Sequence, residues 1–216
     1  MYPSAIGLRA SRMVLAAACI GFLLFMTSSA FGQYVTRVEE DWELVIAEPE
    51  PNCVSPQITT TMSPTDNLLC HYTVFEMNQQ TLNTFIPGGM QLQAWDGPFP
   101  LGERSIGGNT VLRTAGETIR WTQRMQLDNW VLSFEIRDGS STTWGDFGGD
   151  EGHLRYSVWA FVDDLNGYSP AVAVPNCGIG YASNRVTSLV LKRVRYTLST
   201  GQTVEDNVER TVYPQP

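Results

Sequence analysis

The chain has 216 residues, 43% hydrophobic and 11% aromatic, with 14 basic and 22 acidic side chains and 2 His. A net charge of -8 argues against nucleic acid or an anionic lipid surface as partner. Between Val38 and Glu103 there are carboxylates but no Lys or Arg, whereas Arg185, Lys192, Arg193 and Arg195 crowd together later, so they are expected to face acids of the same chain or to be solvated.

In chain order, Arg9 and Arg12 precede an apolar run, "MVLAAACIGFLLFM" from Met13 to Met26, and small residues follow in "TSSAFGQ". This is the pattern of a secretory signal peptide, with cleavage after Ala30 or after Gly32. As a permanent anchor the run is too short, because a span needs about 20 apolar residues. It also continues past Cys19, which argues against a lipidated Ala-Ala-Ala-Cys box. The expectation is an exported, released product of one domain, residues 33–216, without stable membrane insertion. Both leader charges are Arg, so that product carries the remaining 12 basic and all 22 acidic side chains, a net of -10.

Beyond the leader the chain reads as all-β. "WELVIAE", "QITTTM", "LLCHYTVFEM", "MQLQAW", "HLRYSVWAFV" and "AVAVP" have strand composition between Pro, Gly, Asn and Asp punctuation. "EPEPN" at 48–52 reads as a kinked connection, and "EMNQQTLNTF" is the one candidate short helix. The clearest pattern is "ETIRWTQRMQLDNWVLSFEIRDG". Ile119, Trp121, Met125 and Leu127 alternate with polar residues, as do Trp130, Leu132, Phe134 and Ile136, around an Asp128-Asn129 loop. The hairpin so drawn places Leu127 opposite Trp130, Met125 opposite Leu132 and Trp121 opposite Ile136. On its other face Thr122 opposes Glu135, with Arg120 and Arg124 diagonal to that carboxylate. In "RVTSLVLKRVRYTLSTGQTVEDNVERTVY" a long strand turns at Ser-Thr-Gly-Gln and returns, bringing Glu205 or Asp206 near Arg195. So many strands in one domain imply a two-sheet antiparallel β-sandwich, of jelly-roll or concanavalin-A-like form.

The segment "NGYSPAVAVPNCGIGYASNRVTSLVLKRVRY" resembles the closing strands of exported bacterial β-sandwich proteins of concanavalin-A-like (lectin and glucanase) architecture. That resemblance implies the sandwich fold and transfers no functional residue.

Cys53, Cys70 and Cys177 follow the leader and admit either one disulfide and a spare thiol or three reduced thiols. Zinc is disfavoured, since there is no Cys-x-x-Cys pair and His71 stands far from His153. "TTWGDFGGDEGH" gathers Asp146, Asp150 and Glu151, which suit calcium in chemistry but show neither the EF-hand spacing nor the nine-residue Gly-rich repeat; four glycines among them favour a solvated turn. "DDLNG" at 163–167 has the same ambiguity. No cofactor is expected, with calcium the exception to test.

Sugar recognition stacks an aromatic face on a pyranose ring while polar groups take its hydroxyls. Trp144, Trp95, Trp159 and Tyr168 are the candidate contacts, each beside Asp, Asn, Gln or Ser. In "LRYSVWAFV", Leu154, Tyr156, Val158 and Ala160 face the core, which turns Trp159 and Phe161 the other way. No catalytic residue is assigned: no Gly-x-Ser-x-Gly elbow, phosphate loop or dinucleotide fingerprint occurs, and Glu135 between arginines is a surface ion pair rather than a general acid. The expected function is a secreted, non-enzymatic β-sandwich that binds an extracellular ligand such as a glycan, or an extracellular protein. A structural envelope or matrix component and a carbohydrate-active enzyme are the alternatives.

Overall fold

Period-two alternation becomes two antiparallel sheets in the computed structural model, which describes residues 32–47, 56–78, 89–106, 112, 114–149 and 153–214. Most of the leader, "EPEPN", Cys53, most of "EMNQQTLNTF", Asp150 and Glu151 lie outside the described residues. The strands are β1 (Val35–Ile46), β2 (Gln57–Met62), β3 (His71–Met77), β4 (Met90–Asp96), β5 (Phe99–Ile106), β6 (Thr118–Asp128) and β7 (Val131–Ser141). They continue as β8 (Gly145–Phe147), β9 (Arg155–Trp159), β10 (Gly178–Tyr181), β11 (Val186–Leu198), β12 (Thr203–Asp206) and β13 (Arg210–Tyr213). The larger sheet runs β12-β11-β1-β6-β7-β8, with β13 also on β11 and β9 also on β7; the smaller runs β10-β2-β3-β4-β5. The fold is an all-β sandwich. Among the described residues no helix is long and apolar enough to cross a membrane.

Alternate residues of each sheet meet in the core. From the larger sheet come Val38, Trp42 and Leu44 of β1, Trp121 and Met125 of β6, Leu132, Phe134 and Ile136 of β7, and Leu189 and Leu191 of β11. Ile58, Met62, Phe75, Met77 and Leu92 of the smaller sheet pack against them. Each such side chain stabilises the fold by about 1.5–3 kcal/mol. Trp42 stacks on Trp121 at 6.1 Å with 9° between the rings, and Phe75 meets Trp121 edge-on at 5.9 Å.

The β6–β7 hairpin keeps the expected faces and changes the expected partners. Leu127 pairs with Leu132, Met125 with Phe134, Arg124 with Glu135 and Thr122 with Arg137, two residues away from the register read in the sequence. The two-residue loop is Asn129-Trp130, not Asp128-Asn129, and both have positive φ, 49° and 66°. A shift of two preserves parity, so apolarity alone does not separate the registers. Trp130 sits in the turn, 50% exposed, beyond the last core layer.

Three further readings are corrected. "AVAVP" is a helical turn, α1 (Pro170–Ala173), followed by a 3-10 turn. Ser169 caps it, its Oγ accepting from Ala171 N at 3.3 Å, and Pro170 opens it, an N-terminal signal that outweighs the β-branched composition. Glu135 is buried rather than on the surface, and Arg120 pairs instead with Glu43 at 2.7 Å. β5 and β8 were not anticipated. β5 is exposed along nearly its whole length and interrupted by Pro100 and Gly102, so it lacks the half-buried alternation that reveals a strand.

The outer face of the larger sheet carries the charges. Successive register partners are Glu205 (β12), Arg195 (β11), Glu39 (β1), Arg124 (β6), Glu135 (β7) and Arg155 (β9). They form one row across six strands in which acid and base strictly alternate. Arg195 donates to Glu39 at 2.9 Å and to Glu205 at 3.2 Å, and Arg193 in the next row reaches Asp41 at 2.6 Å. Of the basic cluster near the C-terminus, Lys192, Arg193 and Arg195 therefore pair with acids of the chain, whereas Arg185 is buried with its Nε and Nη2 unpartnered among the described residues.

Candidate functional site

Residues 91, 93 and 95 of β4 point outward because Met90, Leu92 and Ala94 are buried. They place Gln93 and Trp95 on the outer face of the smaller sheet, with Gln91 on the same side but buried. β3 pairs in register, so Tyr72 stands opposite Trp95 and Glu76 opposite Gln91. On the other side β5 sets Pro100 opposite Trp95, Glu103 opposite Gln93 and Ser105 opposite Gln91.

The result is a stacked aromatic pair beside a hydrogen-bonded polar ladder. The Tyr72 and Trp95 rings lie 6.5 Å apart with 13° between their planes. Tyr72 OH donates to Gly97 O at 3.2 Å, and Trp95 Nε1 donates to Gln93 Oε1 at 3.2 Å. Gln93 Nε2 donates in turn to Glu76 Oε2 at 3.1 Å and to Gln91 Oε1 at 2.6 Å, while Gln91 Nε2 donates to Ser105 Oγ at 3.1 Å. Both rings are thereby held by polar contacts at their edges. A groove of about 430 Å³ runs beside Trp95, walled by Gln93, Pro100, Leu101, Gly102 and Glu103. Burial pushes the Glu76 carboxyl above its ordinary range, and the charge of Glu103 adds to the effect. These two acidic side chains suit the face to a ligand without negative charge.

The other sequence candidates are placed elsewhere. Trp144 lies in the turn before β8, partly buried against the core, with its N donating to Ser141 Oγ at 3.2 Å. Trp159 is 73% exposed on the outer face of the larger sheet, turned outward while Leu154 and Ala160 are buried, as the alternation of its strand implies. Its carbonyl accepts from His71 Nε2 at 3.1 Å. Tyr168 is buried, its OH donating to Glu40 Oε1 at 2.5 Å. The four aromatics therefore do not form one surface. Of these candidates, Trp95 alone lies on the outer face of the smaller sheet.

Of the calcium candidates, Asp146 is exposed on β8, opposite Ser140, and Asp150 and Glu151 lie outside the described residues. Among the described residues no group of three His, Cys, Asp or Glu side chains gathers as a metal site. The first half of "TTWGDFGGDEGH" is a tied turn: buried Glu117 accepts from Thr143 N at 2.8 Å, Thr143 Oγ1 at 2.5 Å and Ser141 Oγ at 2.5 Å. Cys70 and Cys177 are free thiols, and burial raises the pKa of Cys177.

Sequence reading missed Tyr72, Glu76, Gln91, Gln93 and Glu103. Half of that signal was available, since the alternation of "MQLQAW" already turns both glutamines to the side of Trp95. No family model matches the chain, and no curated protein matches it.

Proposed function

We propose that this chain is an exported, non-enzymatic binding module for glycans, acting through the outer face of its smaller sheet. One observation carries the reading: Trp95 stacks with Tyr72 beside Gln93 and Glu76, which offer polar groups on neighbouring strands and are held in place by buried Gln91. An aromatic face covers the apolar C–H side of a pyranose while amides and carboxylates take its hydroxyls. Glu76 and Glu103 favour neutral or amino sugars over uronates.

The test is calorimetric titration with neutral, amino and acidic oligosaccharides, using protein purified from expression of the full chain. Trp95→Ala is expected to weaken binding at least ~tenfold, the scale of a lost stacking contact. Trp159→Ala is expected to leave it unchanged. No heat with any sugar, or equal loss in both variants, rejects the site.

A second reading has its own observation. Glu76 and Glu103 flank Gln93 from opposite sides, and the first is pushed toward its protonated form, a pairing that resembles the acid and base of glycoside hydrolysis. Release of reducing sugar that Glu76→Gln and Glu103→Gln each abolish favours the enzyme.

A further inference from the structure

We propose that the larger sheet is extended by a second copy of this chain, β12 of one copy pairing antiparallel with β9 of the next. The two free edges of this sheet match in charge, direction and backbone phase.

Charge comes first. The alternating row across six strands ends in an acid, Glu205 on β12, and in a base, Arg155 on β9. A neighbour's β12 laid beside β9 sets Glu205 of that copy against Arg155 and continues the alternation. The next row ends in Ser157, bonded to Ser133 at 3.0 Å, and in Thr203, so it continues as hydroxyl against hydroxyl. Two β9 edges or two β12 edges brought together offer no acid–base pair in any register.

Direction and phase agree with this pairing. Five successive antiparallel pairings separate β12 from β9, so the two edges run in opposite directions. Ala160 N bonds Trp130 O, and Leu154 O accepts from Ile136 N, so even-numbered residues of β9 bond to β7. The backbone groups of Arg155 and Ser157 therefore face the free edge. Leu198 N bonds Gln202 O, which in the same way turns Thr203 and Glu205 outward on β12. Arg155 with Glu205 and Ser157 with Thr203 are thus hydrogen-bonding pairs in a single register.

The smaller sheet is blunted where these edges are not. β5 carries Pro100 and a register break at Gly102, and β10 has a register break before Tyr181. The β9–β7 and β12–β11 ladders run without a break, and among the described residues no further strand pairs with either edge; His71 occupies the carbonyl of Trp159 at the end of β9 and leaves Arg155 and Ser157 to the pairing. Edges left without Pro or bulge are competent to pair. Because the surfaces differ, the contact is head-to-tail and open-ended.

The test is sedimentation velocity across protein concentration on protein expressed as the full chain. The wild type is expected to grow past the dimer as concentration rises. Arg155→Glu and Glu205→Arg are each expected to stay monomeric, and their equimolar mixture to associate again, since each supplies the charge the other lacks. Ser157→Pro removes an edge N–H without changing charge and is expected to abolish association while the melting curve remains cooperative. A wild type that stays monomeric or stops at the dimer overturns the proposal. So does a Ser157→Pro variant that associates normally.

Discussion

Arg124 and Glu135 face each other directly across the β6–β7 hairpin, at the centre of the row of alternating charge. Their side chains are 17% and 4% exposed, and Arg137 lies 3.9 Å from the same carboxylate oxygen. A carboxylate so buried is tolerated because guanidinium groups approach it along its own strand and from the strand beside it. The row therefore serves the fold first: it neutralises the outer face of a sheet whose inner face holds the core.

Removing one member leaves the other buried and unbalanced. Arg124→Met is expected to destabilise the protein by about 2–3 kcal/mol, below the full cost of a broken buried pair because Arg137 remains. Arg124→Met combined with Glu135→Leu is expected to recover most of the loss. Urea denaturation of the two variants measures this, and a double variant weaker than the single one contradicts the argument.

Trp130 occupies the second loop position of a hairpin in which both loop residues have positive φ. A bulky side chain there is strained, whereas Asn-Gly is the preferred pair for such a loop. Trp130→Gly is expected to raise stability by about 1 kcal/mol, relief of the left-handed cost. A fall in denaturation midpoint instead shows that the half-exposed indole contributes packing.

These cases show what sequence pattern reports and what it omits. Alternation identified both faces of the hairpin and turned Trp159 away from the core, and the Ser-Thr-Gly-Gln turn brought Glu205 or Asp206 toward Arg195, of which Glu205 is the register partner. It did not identify the two-residue slip at Asn129-Trp130, because such a slip moves no side chain to the other face. At the candidate site the glutamines and Trp95 share one strand and were readable. Tyr72 and Glu103 arrive from neighbouring strands, whose register no local pattern encodes. "AVAVP" was lost for the opposite reason, since a Ser-Pro cap and two helix-forming alanines outweighed two valines.

Glu117 holds the turn after β7 by accepting from Ser141 and twice from Thr143. Its carboxylate is buried, and Gly139 leaves room for Phe147, which a Cβ would meet at 2.3 Å. Glu117→Ala is expected to cost about 2–3 kcal/mol, the result of leaving buried donors unmet. Faster amide exchange at Thr143 should accompany the loss. A variant with native exchange at Thr143 shows that the turn holds without the clamp.

Glu40 sets how stability depends on pH. It projects from β1 into the core, accepts from Tyr168 OH at 2.5 Å and from Trp42 Nε1 at 3.0 Å, and is fully buried. Burial raises its pKa from 4.5 to about 7, against the pull of those two hydrogen bonds and the Arg210 charge. Between these values the folded protein holds a proton that the unfolded chain releases, so folding weakens as pH rises through this window. The stabilisation is complete below 4.5 and gone above about 7, a change of about 3 kcal/mol. Glu40→Gln keeps a neutral group that accepts from Trp42 and donates to Tyr168, so it is expected to flatten this slope. The variant should match the wild type near pH 4.5 and exceed it by about the same 3 kcal/mol at pH 8. Urea denaturation at several pH values measures both curves. Parallel curves for wild type and variant between pH 4.5 and 8 place the proton on another group.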